Sequence, residues 1–276
     1  MYLKKGLQLY SDLPGIEDQI TINDGTVLPP ESGTYYWPGS YIPKWSWRNL
    51  DRAETKLLMT RDRGADFTKS ISAGEVTDGV REAVTALELH TLTHIDEVMP
   101  QIRKKEEEVK VLNKRLDDFL RRFSPGGNYK FHKITRAMPN RETLTFHYAR
   151  QKFIYVGLHI DESKSFTPYT AFKSGNRISI NLSKETRYLT FVNLSMRQVV
   201  KMIKAKADAS APDVNLGNIA NLFFTHYPDY PVIRIGIKPY QYYIAPTDNF
   251  FHDATTMGNK EIDITIVYTG VFDRIN

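Results

Sequence analysis

Residues 176–194 read NRISINLSKETRYLTFVNL. Ile178, Ile180 and Leu182 alternate with polar residues, and beyond the polar turn SKET the alternation resumes at Leu189 and Phe191. A period of two is the signature of strands, whose successive side chains point to opposite faces. The same texture recurs on both sides, in TLTFHYA (143–149), KFIYVGLHI (152–160), VIRIGIK (232–238), QYYIA (241–245) and DITIVYTGVF (263–272). Many short strands broken by turn signals predict a sandwich or barrel of antiparallel strands over residues 126–276, with one helix near 195–207.

Upstream the texture differs. Residues 73–125 carry helical stripes: Val80, Val84, Leu87, Thr91, His94 and Val98 before Pro100, then Ile102, Val109, Leu112, Leu116, Phe119 and Phe123 opposite dense charge. SPGGN closes that segment. Residues 1–72 hold many turn-forming residues and all three tryptophans, Trp37, Trp45 and Trp47. They read as an aromatic, proline-rich arm laid over the core or over a pocket. The expectation is one integrated domain of three segments, mainly β with added helices.

Composition narrows the chemistry. With 276 residues, 41% of them hydrophobic, the chain can bury an ordinary globular core. It has no cysteine, so disulfides, iron–sulfur clusters and thiolate zinc are excluded, and any metal must use His, Asp or Glu. Thirty-seven basic residues are dispersed among thirty-two acidic ones, which argues against nucleic acid as a partner. No apolar run has the length of a membrane span, and the first residues lack a signal-peptide core, so a cytoplasmic protein is expected.

The tetrapeptide HIDE occurs twice, at 94–97 and 159–162. An imidazole and a carboxylate are two-thirds of a non-haem iron site. In the first copy a helix would turn His94 and Asp96 apart by roughly 200°. In the second, His159 and Asp161 fall at a strand end, where residues two apart share a face. A third ligand must come from downstream. His252, delivered by a strand and turn in QYYIAPTDNFFHD, is preferred to His226 in FFTHYPDYP, which reads as a connecting loop.

VGLHIDES, NRISINLSKETRYLTFVNL and YIAPTDNFFHD together resemble the iron(II)/2-oxoglutarate-dependent dioxygenases, closest to bacterial natural-product hydroxylases. The resemblance spans about residues 129–273 and implies a double-stranded β-helix, a jelly-roll or cupin-like barrel preceded here by the helical segment. It implies His159, Asp161 and His252 as ligands of Fe(II), with 2-oxoglutarate and O2 as cosubstrates. Because Asp161 is present, hydroxylation of an unactivated C–H is implied, on a small molecule such as an amino acid, a peptide or a carrier-tethered group. One departure stands out. Where many members carry an arginine shortly after the distal histidine, this chain has Glu261, Ile262 and Asp263. The basic residue that holds 2-oxoglutarate is then expected at Arg187, with Arg177 and Lys260 as alternatives. Two other readings stay open: a cupin-like metal barrel that does not use 2-oxoglutarate, and a non-enzymatic binding protein. Oligomeric state is not readable.

Overall fold

A computed structural model of the chain describes all residues except 32–33, 63–65, 150, 162–165, 207–212 and 274–276. The fold is mainly β with added helices. Seven strands form the largest sheet, in the order β6 (Met59–Thr60), β1 (Leu9–Ser11), β7 (Ile71–Glu75), β14 (Gln241–Ala245), β11 (Asn176–Asn181), β16 (Asp263–Gly270) and β8 (Tyr129–Ala137). Five strands form a second sheet: β15 (His252–Thr255), β12 (Arg187–Phe191), β13 (Ile233–Ile237), β2 (Ile20–Ile22) and β5 (Arg48–Asn49). A smaller third sheet runs β3 (Thr26–Val27), β4 (Tyr35–Pro43), β10 (Lys152–Gly157) and β9 (Phe146–Ala149).

The alternation in the quoted stretch explains the layering. Ile178 and Ile180 of β11, with Ile264, Ile266 and Tyr268 of β16, point to one side of the large sheet and join a cluster built with helices. Those helices are α2 (Asp78–Ala86) and α4 (Glu106–Leu120), which bury Val80, Val84, Leu112, Leu116 and Phe119. On the opposite side of the same sheet, Leu9, Ile71, Ala73, Tyr243 and Ala245 meet Ile20, Ile22, Leu189, Phe191, Ile233 and Ile235 of the five-stranded sheet. The two sheets therefore face one another across a shared apolar layer, and the central strands β7, β14, β11 and β16 of the large sheet are largely buried, whereas the edge strand β8 is mostly exposed. Burying such side chains stabilises by about 1.5–3 kcal/mol each before entropy is counted. A third cluster packs α5 (Met196–Lys206) and α6 (Ile219–His226) around Leu158, Ile160, Val192 and Phe251.

Three local readings change. The stripe over 80–98 is not one helix: α2 stops at Ala86, Glu88 turns left-handed (φ 57°), and short 3-10 turns follow at Leu89–Thr91 and Ile95–Glu97. Leu87 and Leu89 both bury in the same cluster. A continuous helix would direct them roughly 200° apart, so it gives way. The chain then resumes helical form in α3 (Val98–Lys104). FFTH, read as a loop, is the end of α6, whose Ile219, Phe223 and Phe224 are buried at helical spacing. Residues 1–72 supply β1, β2, β5, β6 and the start of β7 to the two facing sheets, along with the helix α1 (Arg52–Leu58), which a capping box between Asp51 and Glu54 starts.

Candidate metal centre

Strand β10 leads into the second HIDE copy through Gly157, whose backbone is left-handed (φ 71°). A Cβ there would meet the Tyr41 carbonyl at 2.4 Å, so only glycine passes. Two residues on, His159 and His252 form an isolated antiparallel bridge, each backbone N–H donating to the other's carbonyl at 3.0 and 2.8 Å. Residues so opposed project their side chains to one face, and the two imidazole rings lie 4.7 Å apart. The backbone N–H of Asp161 donates to the Thr247 carbonyl at 3.2 Å, which fixes the carboxylate beside the rings.

The ligand atoms converge. His252 Nε2 lies 3.6 Å from Asp161 Oδ2, and His159 Nε2 lies 3.9 Å from Asp161 Oδ1. Among the described residues these three form the one His/Asp/Glu group compact enough to hold a metal ion, with ligand atoms within 4.8 Å of one another. A cation held at about 2.0–2.2 Å from each atom needs only small closure from these separations. Tautomers fit as well: each Nδ1 faces a backbone carbonyl, that of Gly157 for His159 (2.8 Å) and that of Phe250 for His252 (3.3 Å). Nδ1–H donation of this kind leaves both Nε2 lone pairs free for an ion.

Protonation agrees. Burial pushes His252 down to about 4, against the opposing pull of Asp161. Burial alone would raise Asp161, but His252, Arg177 and His159 together hold its carboxyl far below the usual range. Neutral imidazole and ionised carboxylate are the forms a metal requires.

Arg177, on the inward face of β11, places Nη1 3.1 Å from Asp161 Oδ2 and Nη2 3.9 Å from Asp248 Oδ1. It braces the carboxylate. Arg187 projects from the inward face of β12 and is buried. Its Nη1 donates to the Thr265 hydroxyl and lies 3.6 Å from Asp263 Oδ2. His159, Asp161, His252, Arg177, Arg187 and Asp263 all line one cavity of about 360 Å³. Arg177 and Thr247 also line an adjoining outer cleft of about 690 Å³, with Lys130, His132 and Asp248 among its walls. Lys260 lies elsewhere: it is exposed, and its backbone N–H donates to Glu185. His226 closes α6 outside this group, and its carbonyl accepts from Lys206.

Sequence reasoning noticed Asp263 only as an acid standing where an arginine was expected, and did not pair it with Arg187. Asp253, next to His252 in β15, gives no signal in the sequence; it is buried, burial pushes its carboxyl up, and it accepts from the Thr143 hydroxyl. The signal for Asp263 was its phase: with Thr265 and Val267 it alternates against Ile262, Ile264 and Ile266.

No protein-family model and no curated protein matches the chain. It is distantly similar to solved structures of the Kdo hydroxylase KdoO, described as a non-heme Fe(II) alphaketoglutarate dependent dioxygenase. The apo form shows 11% identity and a TM-score of 0.34, covering 73% of this chain and 79% of that chain. The cobalt(II) complex shows 10% identity and a TM-score of 0.35, and the complex with succinate and Fe(III) 10% and 0.34; each covers 77% of this chain and 87% of that one. No helix among the described residues is long and apolar enough to cross a membrane.

Proposed function

We propose that the chain is an Fe(II)/2-oxoglutarate-dependent oxygenase that hydroxylates an unactivated C–H of a small molecule. The observation that carries this is the convergence of two imidazole Nε2 atoms on one carboxylate, at 3.6 and 3.9 Å, inside a cavity that also contains buried guanidinium. Two nitrogens and one oxygen on one face of an ion leave further positions open, the arrangement of non-haem iron oxygenases. We read the two facing sheets as a double-stranded β-helix, with residues 1–72, 73–125 and 126–276 as parts of one domain.

Iron(II), 2-oxoglutarate and O2 supply the oxidising power, with succinate and carbon dioxide as co-products. The protein's own groups do the rest. His159, Asp161 and His252 hold the ion, and Arg177 keeps Asp161 ionised and oriented. Arg187 receives the far carboxylate of 2-oxoglutarate as a charge-assisted partner. The outer cleft admits the substrate, for which an amino acid, a peptide or a carrier-tethered group is our expectation, in the cytoplasm and within a biosynthetic pathway.

The test is a titration of 2-oxoglutarate against succinate formation in anaerobically reconstituted, then aerated, protein. Arg187→Ala is expected to raise the apparent constant roughly 30-fold or more, since removing the partner of a buried anion costs about 2–5 kcal/mol. Lys260→Ala should leave it unchanged. A large rise in Arg177→Ala alone would move the anchor to that residue. Iron-dependent oxygen uptake with no requirement for 2-oxoglutarate would favour the cupin-like reading, which the Asp263 carboxylate beside Arg187 speaks for.

A further inference from the structure

Arg187 does not face the cavity alone. Asp263 Oδ2 lies 3.6 Å from its Nη1, and both side chains are buried, at 6% and 1% exposure. The pair is incompletely satisfied. Arg187 Nε and Asp263 Oδ2 are buried with no hydrogen-bond partner among the described residues. Asp263 is nevertheless fixed in place, because Oδ1 accepts from the Ser183 hydroxyl at 3.2 Å while Ser183 Oγ accepts the Ile264 N–H at 2.7 Å. Buried polar atoms of native proteins are nearly always bonded, so two orphans of opposite charge lining one cavity are groups that solvent or a bound ligand must satisfy there. Lys133 and Arg136 also line the cavity, but both are exposed and therefore screened by water.

We propose that Asp263 is a specificity-determining residue, which weakens the grip of Arg187 on a second carboxylate and lets 2-oxo acids with an uncharged far end compete. The argument is electrostatic. A guanidinium already neutralised by a fixed carboxylate offers an incoming anion little net charge, and the anion must sit beside Asp263 in a low-dielectric space. A neutral acceptor such as an ester carbonyl takes the guanidinium hydrogen bond without that repulsion. This inference rests on Arg187 being the anchor for the far end of the cosubstrate.

The experiment is calorimetric binding of 2-oxoglutarate and of its 5-methyl ester to the zinc(II)-loaded protein, wild type and Asp263→Asn, with no turnover. In the wild type the two dissociation constants should lie within about tenfold of one another, because each tenfold is only 1.4 kcal/mol of net charge preference. Asn keeps the size of the side chain and an acceptor for Ser183 while removing the charge. It should tighten 2-oxoglutarate at least tenfold and leave the ester unchanged, so that the ratio moves; damage to the pocket would weaken both together. A wild-type preference for the dicarboxylate above a hundredfold would overturn the inference even if the variant failed to fold. So would an unchanged ratio in Asp263→Asn. If neither ligand binds while zinc still loads at one per chain, the 2-oxoglutarate reading itself falls and takes the inference with it. If the ligands bind equally well to Arg187→Lys and Arg187→Met, the anchor lies elsewhere and Asp263 has no such role.

Discussion

The letters HIDE appear at 94–97 and 159–162, and the two copies have opposite fates. In the first, His94 is extended (φ −122°, ψ 140°) and caps a 3-10 turn, with Glu97 accepting its backbone N–H. His94 and Asp96 are exposed, and among the described residues no strand pairs with them. In the second, His159 is locked opposite His252 by two backbone hydrogen bonds, and Asp161 is tied to Thr247. Identical side chains join a group that could hold a metal ion only where a distant strand brings a second histidine beside them. The first copy was set apart on the expectation of a continuous helix. The structure keeps the separation but supplies a different cause, an exposed turn.

The largest effect is expected from removing the candidate ligands. His159→Ala, Asp161→Ala and His252→Ala are each expected to abolish stoichiometric iron binding after anaerobic reconstitution, whereas His94→Ala and Asp96→Ala should retain one ion per chain. Iron lost from either first-copy variant with its circular dichroism intact would show that the copies are not separable. A smaller effect is expected of Arg177→Gln. It withdraws the guanidinium 3.1 Å from Asp161, and loss of such an outer partner typically lowers metal affinity about 10–100-fold. Competition with a chelator measures it, and unchanged affinity would mean that Arg177 serves only the outer cleft.

The smallest effect is a pH dependence of the metal-free protein. His252 in the unfolded chain takes up a proton near 6.5, but the folded chain resists until about 4. Its contribution to stability is therefore fully present above pH 6.5 and is lost progressively as pH falls toward 4. Wild type should lose stability more steeply across that window than His252→Asn, while His94→Asn should track wild type. Parallel curves for wild type and His252→Asn would indicate that the ring is hydrated in the folded state.

What was legible followed from local geometry. The strands around Ile178 and Leu189 announced themselves by period, and His159 with Asp161 by strand spacing. His252 came from its place after a strand and turn. What was hidden depended on partners remote in sequence. Arg187 looked like a cation in need of an anion, and that anion, Asp263, lies 76 residues away, on a strand of the facing sheet. The strands in residues 1–72 are two to nine residues long and gain definition only from their pairing. Helix α6 was masked because Phe223, Phe224 and His226 run into a Tyr-Pro turn that dominates the local reading.

The strand order also dictates when this protein can fold during synthesis. β2 finds its neighbour in β13, where Ile22 opposes Ile233, and β7 finds its neighbour in β14, where Ala73 opposes Tyr243. At roughly 5–20 residues per second, a ribosome leaves the first of these partners waiting on the order of ten seconds for the second. Through that interval Ile20, Ile22, Ile71 and Ala73, all but fully buried at the end, have only the short strands β5 and β1 beside them. Such long-range closure is slow and exposes apolar edges.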